Sequence, residues 1–419
     1  MKQAIDIHNY DRMLKSAILQ VKNAEISEKN KKIIMKLYSD LLISGISKPR
    51  LCKYLNYLKI IAQRVNKDFD KMDIDDVKEF IRSIQERDYS PWTRQAYKVI
   101  IRKLFKWMKG DKDSKDYPPE VKWININIKR TETKLPGEND LLTEQEIKKM
   151  IDICGHPRDK ALLSIIFESG GRIGEIASLQ IQNVKFDKFG AVLTVEGKTG
   201  SRPIRIISST SYLMTWLDNH PLKNDKTAPL WVNIEGRNKQ KLMKYGTIRM
   251  LFQKIGKKTG VDKRMNPHMF RHSRATLMAN HLTEFQMNQY FGWIQGSDMP
   301  STYVHMSGKN IDNAILQMNG LATEESKTRQ SELKPIICPR CETINAPSSK
   351  FCTRCACILD MKTAMEMQQV REKELEVQTV QDDLMTTLMQ DPKIKDLIVS
   401  KILELGLGGK LKAIAGNTA

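Results

Sequence analysis

No stretch of the 419 residues reaches the roughly 18 consecutive apolar positions of a membrane span. The opening MKQAIDIHNYDRML also lacks the apolar core of a secretory signal. These absences lead us to expect a cytoplasmic, DNA-associated chain with no membrane partner, once charge is considered. Acidic residues are in deficit: 49 Asp and Glu stand against 69 Lys and Arg, a formal net charge of +20. Such an excess disfavours a cationic substrate and favours a polyanion, nucleic acid above all. Cysteine is scarce until late in the chain. Only Cys52 and Cys154 precede residue 338, and both read as isolated, buried small hydrophobes. That distribution excludes a disulfide framework. No internal repeat is visible.

The remaining five cysteines, Cys338, Cys341, Cys352, Cys355 and Cys357, crowd into twenty residues. CPRCETINAPSSKFCTRC is C-x2-C, ten residues, C-x2-C, so Cys338, Cys341, Cys352 and Cys355 supply the four thiolates that tetrahedral zinc prefers. Cys357 is left outside the set. Some 25 residues cannot bury a core, so the metal supplies the folding energy and plays a structural part. The segment resembles a zinc ribbon.

The length predicts two or three domains. Residues 1 to about 110 read as helical throughout. Ile33, Ile34, Leu37, Leu41 and Leu42 recur at helical spacing before a stop at Gly45, and SPWTRQAYKVIIRKLFKWMKG begins with Ser90-Pro91 and ends at Gly110. Residues 113–138 are rich in proline and charge and read as a linker. Thr143 and Glu146 then form a capping box that opens a second domain. RDKALLSIIFESGGRIGEIASLQ reads as two apolar helices joined at Gly170-Gly171, and GAVLTVEGKTGSRPIRIIS as a β-hairpin. Helical patterns resume up to about Leu321. A polar linker at 323–335, the cysteine segment at 336–360 and an amphipathic helical tail at 361–419, in which Asp391 and Pro392 cap a further helix, follow. The fold class is mainly α with a small antiparallel β-sheet.

Several polar residues of the second domain sit beside its breaks. Arg172 follows Gly170-Gly171, Lys198 marks the hairpin tip, and His268 and Arg271 share a helix face in NPHMFRHSR. Trp293 follows Gly292, and Tyr303 comes ten residues later, among small polar residues with no apolar period, so that it reads as part of a short, mobile segment. Each alone has an ordinary reading: a helix cap, a turn lysine, an N-terminal histidine, a core tryptophan, a packed tyrosine. Their order carries more than any one of them.

GGRIGEIASL, VEGKTGSRPIRI, HMFRHSRATLM and FGWIQGSDMPSTYVHMSG, in this order, resemble the tyrosine recombinase (phage integrase) family, and STYVHMSGKNIDNAILQMNG resembles its archaeal branch. The resemblance covers residues 139–322 well and the N-terminal bundle more loosely. It implies an N-terminal SAM-like core-binding bundle (1–112), an α+β catalytic domain (139–322), and a homotetramer acting on two double-stranded DNA sites. The implied reaction is site-specific strand exchange through a 3′-phosphotyrosine and a Holliday junction, without a cofactor. Tyr303 is then the nucleophile, Arg172 and Arg271 bind the phosphate, Lys198 is the general acid and His268 an acid/base partner. Glu175 orients the site. Trp293 replaces a more usual histidine and serves by hydrogen bonding and packing, while His305 reads as an ordinary surface residue, with a phosphate contact as the alternative. The Trp293–Tyr303 interval is one residue longer than the family's common pattern. Physical chemistry agrees with these roles: a phenol with a pKa near ~10 needs help to attack, and two guanidiniums match phosphate oxygens in forked geometry. Two other readings share the sequence. One is a type IB topoisomerase-like enzyme without strand exchange, and the other a DNA-binding protein that retains the fold without activity.

Overall fold

The computed structural model describes residues 5–110, 116–129, 132, 137–197, 200–306, 315, 319, 331 and 333–405. The chain divides into two compact units, Met1–Leu333 and Lys334–Ala419.

Among its described residues the first unit holds two large hydrophobic cores and a smaller cluster around Tyr303. One lies in a helical bundle of α1 (Tyr10–Lys22), α2 (Glu28–Ile43), α3 (Lys48–Val65), α4 (Ile74–Gln85) and α5 (Pro91–Lys109). Its stripes follow the sequence periodicity. In α4 an Asp73/Asp76 capping box starts the helix, and Val77, Phe80, Ile81 and Ile84 then fall on one buried face. In α5 the Ser90 hydroxyl accepts from the Thr93 amide, and Ala96, Tyr97, Ile100, Ile101, Leu104 and Phe105 face inward. The segment expected to be a linker is partly built into this bundle. The short helix α6 (Pro119–Lys122) carries Val121, and Val121 and Ile124 are buried in the bundle core. Charge and proline density hid these two apolar anchors.

The second core begins at Leu141 and Leu142. It gathers α7 (Glu144–Ile153), α8 (Pro157–Ser169), α9 (Ile173–Ala177), a three-stranded antiparallel sheet, α10 (Thr210–Asp218), α11 (Tyr245–Thr259), α12 (Pro267–Ala279), α13 (Glu284–Phe291) and α14 (Met299–Met306). Helix α8 is buried around nearly its whole circumference, which makes it the central element. The sheet order is β1 (Val184–Asp187), β2 (Gly190–Gly197), β3 (Gly200–Ile206), with Val195 opposite Arg202. The β2–β3 hairpin matches the sequence expectation, whereas β1 had no signal of its own. Trp231 fixes α9 by donating its indole N–H to the Ile176 carbonyl at 2.8 Å.

A short strap precedes the bundle. Ile7 is buried in the second core, not the first. Its carbonyl accepts from the Tyr245 amide at 3.0 Å, and the Asp6 carbonyl accepts from Lys244 Nζ at 2.7 Å. The Asp6 carboxylate meanwhile accepts from the amides of His8, Asn9 and Tyr10 and so starts α1.

The second unit contains a two-stranded antiparallel ribbon, β4 (Ile336–Ile337) with β5 (Ile344–Asn345), followed by α15 (Met361–Gln390) and α16 (Pro392–Glu404). The helix break at Asp391-Pro392 falls where the sequence places it. Among the described residues, no helix is long and apolar enough to cross a membrane.

Candidate active site

The two arginines of the site are positioned by backbone carbonyls. Helix α8 ends at Gly170 in the left-handed region, at φ 54°. A Cβ there would lie 2.6 Å from the Phe291 ring, so this turn is reserved for glycine by conformation and by space. The turn delivers Arg172 to the N-cap of α9. Helix α13 ends the same way at Gly292, φ 62°, where a Cβ would meet Arg202 Nη1 at 2.7 Å. The free carbonyls at that helix end carry the negative end of the peptide dipole and attract cations. Arg172 Nη2 donates to Gly292 O at 3.0 Å, and Arg271 Nη2 donates to Phe291 O at 2.8 Å. Arg271 Nη1 also donates to Gly170 O at 2.9 Å. Each guanidinium has five N–H groups, so donors remain for a ligand.

Glu175 sits beneath Arg172 and is 3% exposed. Its carboxylate accepts from Arg172 Nη1 at 3.0 Å and from Arg202 at 3.1 and 2.7 Å. Burial pushes its pKa up, but the hydrogen bonds and charge of Arg202, then those of Arg172, outweigh burial and hold it below the usual carboxylate range. Arg202 also donates Nε–H to the Tyr290 carbonyl at 2.9 Å. This arginine was missed in the sequence. Its signal is faint: one of two arginines in SRPIRI, on the strand after the hairpin tip. Lys198 itself, and the side chain of His305, lie outside the described residues.

Tyr303 differs from expectation. Placed among small polar residues after a proline, it reads as part of a mobile segment, yet it is in α14 and 2% exposed. The reason is tertiary: Ala275 and Ala279 on α12 leave room for the ring, and Met287 and Phe291 close over it. The Trp293 indole stacks on the phenol at 5.4 Å between ring centroids and 4° between planes. The chain turns between them at Gly296, φ 79°. Trp293 also stacks on Phe291, and the Arg271 guanidinium lies 5.3 Å from its ring centre. Burial raises the Tyr303 phenol to about 12, against an opposing pull from Arg271. Burial, then the charge of Arg172, brings Arg271 down to about 10, still protonated at pH 7.

The Tyr303 hydroxyl is 2.8 Å from Nδ1 of His272. His272 is a second residue absent from the sequence reading, although it directly follows Arg271. His268 lies one turn earlier, with its ring stacked on that of His272 at 5.6 Å. Both histidines are held below the usual imidazole range, first by burial and then by neighbouring positive charge; for His272 the value is about 4. They border a groove of about 1940 Å³ that runs between Trp92 on α5 and the basic residues Arg249, Lys254, Lys257 and Arg264. Arg172, Glu175, Arg271, Trp293 and Tyr303 thus come together, with His268 at the edge.

A tyrosine beside two arginines, on a helical domain facing a basic groove, defines a class of enzymes that transfer DNA strands. The phage integrase family's sequence profile matches residues 140–309, so this segment is a domain of that family, and with the relatives below it makes the chain a tyrosine recombinase. Among its relatives are Xer proteins. It is 24% identical over 286 residues to tyrosine recombinase XerA of Pyrococcus horikoshii, covering 68% of this chain and 93% of that protein. It is 28% identical over 261 residues to tyrosine recombinase XerA of Pyrococcus furiosus, covering 57% and 85%. In three dimensions it shares the fold of the XerH site-specific recombinase bound to palindromic difH substrate in a post-cleavage complex. That likeness has a TM-score of 0.53 and 18% identity and covers 76% of this chain and 98% of that one. The chain is a site-specific recombinase that cleaves and rejoins DNA by a tyrosine mechanism.

In the second unit the sulfurs of Cys338, Cys341, Cys352 and Cys355 all lie within 4.8 Å of one another. Two of the separations, Cys338–Cys355 and Cys341–Cys352, are 3.5 Å. Zinc–sulfur bonds of ~2.3 Å in a tetrahedron set sulfurs roughly 3.8 Å apart, so the donor set fits a thiolate-bound metal ion. The two knuckles are built alike. The amide of Glu342 donates to Cys338 O, and that of Ala356 to Cys352 O, with both residues in the left-handed region. Cys357 is not part of the cluster.

Proposed function

We propose that the recombinase acts through a 3′-phosphotyrosine on Tyr303 and exchanges strands by way of a Holliday junction, as a homotetramer on two double-stranded DNA sites. The observation that carries this reading is the convergence of Tyr303 with Arg271 and Arg172 around the end of α13. In this reading the two guanidiniums bind the scissile phosphate and stabilise the charge that develops at phosphorus. Lys198 protonates the departing 5′ oxygen, and His268 assists proton transfer. Glu175 keeps Arg172 aimed, and Trp293 holds the phenol by stacking. The bond energy is kept in the phosphotyrosine, so rejoining needs neither metal nor nucleotide.

The bundle (1–112) and catalytic domain (139–322), joined by 113–138, are read as the jaws of a clamp on the duplex. The second linker (323–335), the zinc ribbon (336–360) and the helical tail (361–419) are auxiliary. Four thiolates in a small ribbon support structural zinc as the resident metal, with no part in the strand-transfer chemistry. The reading is tested with a nicked duplex carrying the protein's site. Wild-type protein forms an SDS-stable adduct, whereas Tyr303→Phe forms none; an adduct with the phenylalanine variant would refute the assignment.

A further inference from the structure

We propose that His272 is the base that receives the Tyr303 phenol proton as the tyrosine attacks phosphorus. This rests on Tyr303 being the nucleophile.

The placement comes from helix geometry. Residues four apart on α12 share one face, so His268 and His272 stack and point the same way. Helix α14 packs against α12 over Ala275 and Ala279, and the small side chains let the phenol descend to the level of His272. The hydroxyl then meets Nδ1 at 2.8 Å, with the rings 5.7 Å apart and 35° from parallel. Among the described residues, His272 is the hydrogen-bond partner of that hydroxyl, and His268 makes no such bond. Proton acceptance requires the lone pair at Nδ1 and the ring proton at Nε2.

The surroundings keep His272 ready to accept. Burial, the His268 ring and the Arg271 guanidinium all oppose its protonation, so it is neutral at pH 7. The buried phenol, in turn, does not ionise unaided. Two groups so mismatched do not exchange a proton beforehand; transfer accompanies attack, when the phenol oxygen becomes an ester oxygen. An incoming phosphate also offsets the positive charge of Arg172 and Arg271, which raises the basicity of His272 at the moment it is needed. The Tyr303 Oη–P bond forms, the phenol proton passes to Nδ1, and the P–O5′ bond breaks. The 5′ oxygen takes its proton from Lys198 in the role proposed above. On rejoining, the 5′ hydroxyl attacks phosphorus and gives its proton back to Lys198, while the His272 imidazolium returns its proton to the departing Oη.

The test compares His272→Asn and His272→Ala with wild type on the nicked duplex, in single turnover. Asparagine keeps an acceptor near the Nδ1 position but takes no proton. Adduct formation is expected to slow by about 100-fold or more in both variants, with DNA binding retained. Replacing Tyr303 by 3,5-difluorotyrosine, a more acidic phenol, then restores much of the lost rate in His272→Asn and changes wild type little. A wild-type rate in His272→Asn would overturn the proposal, as would an equal response to difluorotyrosine in both backgrounds. If the alanine variant does not fold, the asparagine and difluorotyrosine comparison decides. An adduct in Tyr303→Phe would instead remove the nucleophile assignment itself, so the two failures are distinguishable.

Discussion

The Trp293 indole and the Tyr303 phenol lie face to face, 5.4 Å apart and 4° from parallel. In the proposed mechanism the indole therefore supports the nucleophile by contact, a role that a smaller ring can partly fill. Trp293→Ala should lower the rate of covalent adduct formation by at least about tenfold and destabilise the catalytic domain by about 3 kcal/mol, since it removes a large ring that is only partly exposed. Trp293→Phe should retain most of both. Adduct kinetics and thermal melting check this.

Arg202 should behave as a positioning residue. Its loss leaves the buried Glu175 carboxylate with Arg172 as its remaining cation. Arg202→Ala is expected to cost about 3–5 kcal/mol, as when one member of a buried ion pair is removed. Arg202→Lys should recover only part, because a lysine lacks the planar fork that spans both carboxylate oxygens. Thermal unfolding measures both. Restored stability in Arg202→Ala/Glu175→Gln, which removes the charge as well, would confirm the coupling.

Stability should fall as pH drops from about 6.5 towards 4. His272 has a folded pKa of about 4, against 6.5 for the free ring. Between these values the unfolded chain binds more protons than the folded one, so stability rises with pH. The contribution is complete above pH 6.5 and lost as pH falls to about 4. His268 shifts the same way, facing Arg271 and Arg172. Melting temperatures taken across this range should decline, and His272→Asn should flatten part of the slope. Glu175, whose pKa is also lowered, adds a further loss at still lower pH.

The cysteine cluster should bind one metal ion per chain. Elemental analysis is expected to find zinc at that stoichiometry, unchanged in Cys357→Ser and lost in Cys352→Ser. A chelator should raise amide exchange within residues 336–360. Ala356, at φ 56°, occupies a conformation that suits glycine. Ala356→Gly should accordingly stabilise the metal-bound ribbon by about 1 kcal/mol.

The sequence made the local features legible. The Thr143/Glu146 box, the Gly170 stop, the β2–β3 hairpin and the Asp391-Pro392 break are all written in short-range chemistry, and the structure has each of them. The order of Arg172, His268, Arg271 and Tyr303 pointed to one site. What stayed hidden depends on partners distant in the chain. Tyr303 is buried because Ala275 and Ala279 are small, and Arg202 matters because Glu175 lies 27 positions earlier. His272 has no local signal, because what singles it out is the Tyr303 hydroxyl, 31 positions later. Val121 and Ile124 were masked by the prolines and charges around them.

Ile7 gives the clamp a topology. The chain leaves the catalytic core at Ile7, builds the whole bundle, and re-enters that core by Leu141. The bundle is thus spliced into the catalytic domain, not hung from it by a single thread. In the proposed clamp such a jaw is tethered to the opposite one at two points. To swing further, it must first unzip the strap at Tyr245.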